Sequence, residues 1–288
     1  MTTPGPLRVA AAQAESVSGD VDANVATAVS LVGSAARNGA RLVVLPELFL
    51  TGYDPGGWGA TPESVVTVDD SRLQPLRDVA RERSVVVVAG AAVRRATQDG
   101  STPRHTLSLL VFDGNGDVTA PYDKQHVFDA ERGFFSPGDH GATIVVDGWE
   151  IGLGICYDGC FPEHASAAAG DGAMAYLCPS AYYVGSEHRR DLYYASRALD
   201  NGIYVVYSGL AGKCGGYAFN GGSAVYDPEG RPVDRVGDET PAFAFADLDP
   251  AEVARVQEMN PIGRDRLAGL GNGLGNGLGK RQRQVLVG

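Results

Sequence analysis

Four consecutive apolar residues, Leu42-Val43-Val44-Leu45, run directly into Pro46 and Glu47. A strand with no polar side chain on either face must be covered on both, which places it inside a layered α/β sheet. Proline ends the strand, so Glu47 stands at its carboxyl end. Residues 85–89 form a second all-apolar strand, and residues 7–14 a short apolar one. Between these strands lie two helical patterns. One covers residues 20–36, with Val21, Val25, Val29 and Val32 on one face and Asn38-Gly39 as the stop; the other covers residues 71–83, with Leu73, Leu76, Val79 and Ala80 together. The first third therefore reads as βαβαβ, and the fold class as α/β.

The pattern then changes to hairpins. Residues 105–112 and 117–122 flank Asp113-Gly114-Asn115-Gly116, and residues 143–146 and 150–155 flank Asp147-Gly148. Residues 173–178 and 203–207 read as strands around a helix at 187–201. Residues 223–226 and 232–236 make a third hairpin across Asp227-Pro228-Glu229-Gly230, and 242–248 a late strand. The order repeats, which predicts two similar halves with helices on one face of each sheet. Residues 61–67 read as loop or edge. No linker divides the chain before residue 268.

The second hairpin leads into Gly154-Ile155-Cys156-Tyr157-Asp158-Gly159-Cys160-Phe161-Pro162-Glu163. Proline suits a first helical position and an acid suits a first turn, so a helix opens at Pro162. Cys156 thus sits where a strand turns into a helix. Such a corner exposes a nucleophile beside free backbone N–H groups that stabilise an anion. A free cysteine is more often a small buried hydrophobe, and the corner alone does not decide between the two.

Two further stretches do. Leu45-Pro46-Glu47-Leu48-Phe49 and Tyr122-Asp123-Lys124-Gln125-His126, together with the Cys156 stretch, match in order, spacing and local chemistry. On these three motifs, over residues 7–266, the chain resembles the nitrilase, or carbon–nitrogen hydrolase, superfamily. The closest likeness is to its amidase-type branch, near N-carbamoylputrescine amidase-like and ω-amidase-like members. The resemblance implies a four-layer αββα sandwich of two mixed sheets, assembled as a homodimer or higher homo-oligomer. It implies a catalytic triad of Glu47, Lys124 and Cys156, with Glu131 matching a further glutamate of many members. It also implies hydrolysis of a small linear amide or carbamoyl amine through a thioester on Cys156. Lys124 and the Tyr157 N–H would stabilise the oxyanion, and no metal or organic cofactor would be needed. The chemistry suits the residue types. An amide is a poor electrophile, and a thiol of pKa about 8.5 needs a base at neutral pH. A carboxyl at the bottom of a pocket has its pKa raised toward that task. The competing activities are a nitrilase that converts a nitrile to an acid, and a non-catalytic binding relative. Tyr157-Asp158 after the cysteine, rather than Trp-Glu, favours the amidase branches.

Tyr53, Phe135, Tyr182 and Tyr183 are candidate substrate-pocket walls, with core packing as the competing role. Asp158 and Glu163 fit better as braces of the helix start than as catalysts. Cys160 stands where many relatives carry arginine, so a neutral or amine-bearing amide is expected unless Arg189 or Arg190 supplies the missing charge.

With 35 acidic residues against 24 basic ones, the chain carries a formal charge of −11, which argues against nucleic acid as a partner. No window of about 18 apolar residues exists, so no membrane span is expected. The N-terminus lacks the basic and apolar regions of a signal peptide, and four cysteines in so long a chain suggest reduced thiols in a cytoplasm. No CxxC or HExxH pattern offers metal ligands, and no GxGxxG or Walker loop offers a nucleotide site. Residues 269–279 repeat Gly-Leu-Gly-Asn, so residues 269–288 are expected to form a flexible tail beyond a single hydrolase domain, 1–268.

Overall fold

A computed structural model describes residues 3–58, 62–96, 104–266 and 282–286. The chain begins with β1 (Leu7–Gln13), α1 (Val21–Arg37) and β2 (Leu42–Val44), then α2 (Gln74–Arg83), β3 (Val86–Arg95), β4 (Arg104–Phe112) and β5 (Val118–Asp123). Asp20 caps α1 by accepting from the Ala23 N–H at 3.0 Å. The second half comprises β6 (Ala142–Val146), β7 (Trp149–Leu153), α3 (Pro162–Gly170), β8 (Ala175–Leu177), α4 (Glu187–Asn201) and β9 (Tyr204–Tyr207). It continues through β10 (Ala211–Cys214), β11 (Tyr217–Asn220), β12 (Ala224–Tyr226), β13 (Pro232–Arg235), β14 (Ala242–Leu248), α5 (Pro250–Met259) and β15 (Gln282–Val285).

Two large mixed sheets form, in the orders β14-β1-β2-β3-β4-β5 and β13-β12-β9-β8-β7-β6-β15. The expected internal repeat is visible in their pairing. In the first sheet β1, β2 and β3 are parallel and β4 returns antiparallel; in the second β7, β8 and β9 are parallel and β12 returns antiparallel. The all-apolar strands end up buried on both faces as their composition requires: Leu42, Val43, Val44 and Val86 to Val88 have no exposed surface. One core cluster runs through both sheets, and a second fills the space between the β7–β9 region and helices α3 and α4. The result is the αββα sandwich.

Several details depart from the sequence reading. The hairpin β10–β11 and helix α5 were not foreseen, although Asp249-Pro250 is a helix-start signal, with Asp249 accepting from the Ala251 N–H. Of the expected flexible tail, 269–281 and 287–288 lie outside the described residues, as do 267 and 268 before it. Within it, Gln282–Val285 is not loose: it adds a parallel edge strand to β6, and Arg283 pairs with Glu150 at 2.6 Å. Beyond the glycines the sequence regains side chains able to pair, and an open sheet edge accepts them.

The sheets matter for function through the strand ends. Glu47 follows β2, Lys124 follows β5 and Cys156 follows β7. Behind Glu47 lies Gly90 of β3. A Cβ there would come within 2.4 Å of the Leu48 nitrogen and 2.7 Å of the Glu47 Cα. Gly90→Ala is therefore predicted to push the Glu47 corner outward. At about 1–3 kcal/mol for overpacking, the expected result is a Tm lower by several degrees together with reduced turnover. Gly170→Ala, where a Cβ meets nothing within 4 Å, should change neither. Calorimetry on the two variants checks this, and an unaltered Gly90→Ala would refute it.

Candidate active site

Lys124 is fully buried, and its Nζ donates to Glu47 Oε1 and to Glu131 Oε1, each at 2.7 Å. Neither carboxylate side chain is more than 1% exposed. Burial works against the ammonium, but the two carboxylates outweigh it and hold the Lys124 pKa well above its usual value. Glu131 is saturated. Its Oε1 also accepts from the Tyr53 hydroxyl at 2.7 Å, and its Oε2 accepts from the Phe128 N–H at 2.7 Å. Glu47 is different: its Oε2 is buried and has no hydrogen-bond partner among the described residues. Burial, the largest cause, pushes the Glu47 pKa up to about 7, against the pull of Lys124 and with a further rise from Glu131.

Cys156 opens the corner after β7 with φ of +46°, a left-handed conformation that a non-glycine residue adopts at a cost. Leu48, directly after Glu47, has φ of +50°. The Cys156 thiol lies near enough to Glu47 and Lys124 for both charges to act on it. Burial and Glu47 together raise its pKa well above the usual range, and Lys124 only partly offsets this. At rest the group is a thiol rather than a thiolate. The Tyr157 N–H, in the first turn after the corner, makes no backbone hydrogen bond among the described residues, as expected at a helical start.

The corner is held from below by Asp158, which is fully buried. Its Oδ2 accepts from the Tyr122 hydroxyl at 2.6 Å and the Ile155 N–H at 3.0 Å; its Oδ1 accepts from the His126 N–H and bonds His126 Nδ1, both at 2.8 Å. Burial opposes its charge, yet His164, His126 and Tyr122 together hold its pKa below the usual carboxylate range. Asp158 thus ties the cysteine corner to the segment that carries Lys124. The backbone carbonyl of Cys156 accepts from the Tyr194 hydroxyl of α4 at 3.2 Å. The sequence reading gave Asp158 a bracing role, but nothing in it pointed to His126 or Tyr194.

A cavity of about 280 Å³ opens over Cys156. Its walls are aromatic: Tyr53, Phe128, Tyr157, Tyr182, Tyr183 and Tyr193. Cys160 lies in the wall with its Sγ 3.4 Å from the Tyr182 hydroxyl. The rim is the turn before α4, Val184 to Ser186, together with Arg189. Three of the four proposed wall residues are therefore in the wall. Phe135 is not; it is buried in the core against Trp58 and Phe134, with ring centroids 5.0 and 4.9 Å away. Of the two arginines considered, Arg190 is buried and committed to Asp191, the Asn220 side chain and the Gly221 carbonyl. Among the described residues that line the cavity there is no carboxylate. Among the described residues no group of His, Cys, Asp and Glu is arranged to hold a metal ion.

Comparison with known proteins places this geometry in context. The sequence profile of the carbon–nitrogen hydrolase family matches residues 8–258. An omega-amidase of Homo sapiens is 31% identical over 259 residues, covering 86% of this chain and 90% of that protein. A nitrilase of Pyrococcus abyssi is 32% identical over 253 residues, covering 85% and 91%. A mutant of the amidase from Nesterenkonia sp. AN1, solved with the acetamide moiety of fluoroacetamide added to its active-site cysteine, superposes with a TM-score of 0.80. It is 28% identical, covering 95% of this chain and 98% of that one.

The buried charges allow a stability test. With Lys124→Met, two buried carboxylates face each other without their cation. Loss of one partner of a buried pair costs about 3–5 kcal/mol. Glu47 already has a folded pKa above that of the free carboxyl, so its protonated form favours folding and that contribution is lost as pH rises toward 7 and beyond. Removing the cation strengthens the effect. The melting-temperature deficit of Lys124→Met relative to the parent should be large at pH 8 and shrink at pH 5. A deficit independent of pH would contradict the assignment of charges.

Proposed function

The chain belongs to the carbon–nitrogen hydrolase family, and on that premise we propose that it hydrolyses a small linear amide through a thioester on Cys156. The observation that carries this reading is the buried Glu47, whose Oε2 has no hydrogen-bond partner among the described residues and whose charge acts on the Cys156 thiol that lines the aromatic-walled cavity.

The roles follow from the charges. Lys124 stays an ammonium because two carboxylates surround it. Glu131, saturated by Lys124, Tyr53 and the Phe128 N–H, has the task of holding that ammonium in place. Glu47, with a pKa of about 7, can exchange a proton in either direction near neutral pH. Glu47 takes the thiol proton as the sulfur forms its bond to the carbonyl carbon. The carbonyl oxygen becomes an oxyanion facing Lys124 and the Tyr157 N–H. The protonated Glu47 then gives its proton to the leaving nitrogen, the C–N bond breaks, and ammonia or an amine departs. A water molecule next loses a proton to Glu47 and attacks the thioester. The C–S bond breaks, the proton returns to sulfur, and the acid leaves. The electron pair of each broken bond is accounted for without any further reactant.

The same reading extends to setting. The four cysteines are all free thiols, which suits a reducing cytoplasm. Leu192 and Leu199, seven apart on α4, are exposed at 56% and 44%, which suits a homo-oligomer that covers this helix.

Two measurements test the chemistry. Mass spectrometry of protein quenched during turnover of a simple aliphatic amide should show an acyl adduct on the peptide carrying Cys156, and Cys156→Ala should show neither adduct nor ammonia release. Ammonia release by Cys156→Ala at the parental rate would end this reading. The value of kcat/KM should rise with pH around a midpoint near 7 as Glu47 loses its proton. Glu47→Gln should abolish that limb and cost at least about 100-fold.

A further inference from the structure

The peptide unit between Cys156 and Tyr157 has two ends, and the chemistry uses only one of them. The N–H end, on Tyr157, makes no backbone hydrogen bond among the described residues, and Tyr157 lines the cavity over Cys156. The C=O end, on Cys156, accepts from the Tyr194 hydroxyl at 3.2 Å and, more weakly, from the Cys178 thiol at 3.8 Å. Among the described residues only Thr240–Pro241 is a cis peptide bond, so this unit is trans. A trans peptide is planar, with its oxygen and its N–H on opposite sides. Whatever holds the oxygen therefore aims the N–H as well.

The aim needs holding. Cys156 has φ of +46°, a conformation that persists only when the surroundings enforce it. Tyr194 is well placed to do so. It is fully buried on α4, where Arg190, Arg197, Ala198 and Asn201 are buried with it. Its ring packs on Tyr207, with centroids 4.5 Å apart. It also lies against Gly159 of the cysteine turn, where a Cβ would come within 2.7 Å of the ring. The Ser180 hydroxyl is 2.7 Å from that of Tyr194. As the donor there, Ser180 leaves the single Tyr194 proton for the Cys156 carbonyl. Burial pushes the Tyr194 pKa well above its ordinary value, so the hydroxyl keeps that proton at any working pH.

Tyr194 does not line the cavity. Its influence on the reaction passes through the peptide unit, in two ways. It fixes the direction of the Tyr157 N–H. It also polarises the amide, which strengthens the N–H as a donor by about 10–30%.

We propose that Tyr194 is a positioning residue for amide hydrolysis: by holding the Cys156 carbonyl, it turns the Tyr157 N–H toward the oxygen that becomes negative in the transition state. This rests on the amidase reading of the same pocket. Removing an oxyanion donor outright costs about 10²–10³-fold in kcat. Loosening its aim while leaving it present should cost less, about tenfold.

Tyr194→Phe is the test, since it removes one oxygen and keeps the ring; Ser180 can then donate to the Cys178 carbonyl, 3.0 Å away. On a short aliphatic amide, kcat should fall about tenfold with KM within about twofold of the parent. Alkylation of Cys156 by iodoacetamide supplies the contrast. There the sulfur displaces iodide from carbon, Glu47 takes the thiol proton, and no carbonyl oxygen gains charge. Its rate should stay within about twofold. Equal losses in alkylation and turnover would mean a generally loosened corner and would overturn the proposal, as would no loss in either.

A third measurement needs no turnover. The thiol of the parent adds reversibly to a short aliphatic aldehyde: the C–S bond forms, Glu47 takes the proton, and the oxyanion faces Lys124 and the Tyr157 N–H. Calorimetry should find this adduct about tenfold weaker in Tyr194→Phe. That result supports the role of Tyr194 even if no amide is hydrolysed, an outcome that would defeat the amidase reading alone. Equal affinity in parent and variant overturns the role of Tyr194 even if amides are hydrolysed.

Discussion

Everything at the site depends on one buried ammonium. Lys124 lies between Glu47 and Glu131 at 2.7 Å from each, with essentially no exposed surface on any of the three. Taking such charges out of water is expensive, and only close pairing and complete hydrogen bonding make it tolerable. Glu131 meets that condition with three donors. Glu47 does not, since one of its oxygens is left without a donor. The asymmetry separates two carboxylates that share one cation. One is a fixed counter-charge, and the other is free to exchange a proton. Pairs of acids driven apart by their surroundings are how one site acquires distinct acid–base roles at neutral pH.

Holding these groups together requires strain and bracing around them. Leu48 and Cys156 both sit at positive φ, immediately beside or at the reacting residues. Such conformations persist only when the surroundings over-determine them. Gly90 lets the Glu47 corner lie directly on β3, and Gly138 performs the same service behind Lys124, where a Cβ would come within 2.2 Å of the Asp123 carbonyl oxygen. Asp158 joins the cysteine corner to His126 and Tyr122, which bracket Lys124 in sequence. The three strand ends are thus linked by backbone contacts and by one buried carboxylate, rather than by the catalytic side chains alone. Above them, the fixed helix α4 closes one side of the pocket and carries the cation at its rim.

The strand and helix order was legible in the chain because burial on both faces leaves a plain signature. Leu42-Val43-Val44-Leu45 and residues 85–89 admit few alternatives, and the glycine-rich turns mark the hairpins. The short strands β10 and β11 lack that apolar run: Gly212 and Lys213 break β10, and the Gly215-Gly216 turn is the local mark that joins the two. Phe135 stays open between two roles in the sequence for a related reason. An aromatic side chain near a motif suits a wall or a core equally, and only the position of Trp58 and Phe134 decides which. The terminal residues Gln282–Val285 could not be read as a strand while they followed a glycine repeat, because the open edge of β6 that receives them is 137 residues away in the chain at its nearest, Val145 to Gln282.

The sequence by itself determined the α/β class and which three residues stand at strand ends, since these follow from local patterns of apolar, proline and glycine residues; the layers and the family came with the resemblance carried by the three motifs. Tertiary structure alone decided what those residues became. The rise of the Glu47 pKa, the permanence of the Lys124 charge, the difference between Arg189 and Arg190 and the removal of Phe135 from the pocket all depend on burial and on partners distant in the chain. Desolvation and Coulomb energies are set by distance in space, and no local pattern encodes that distance.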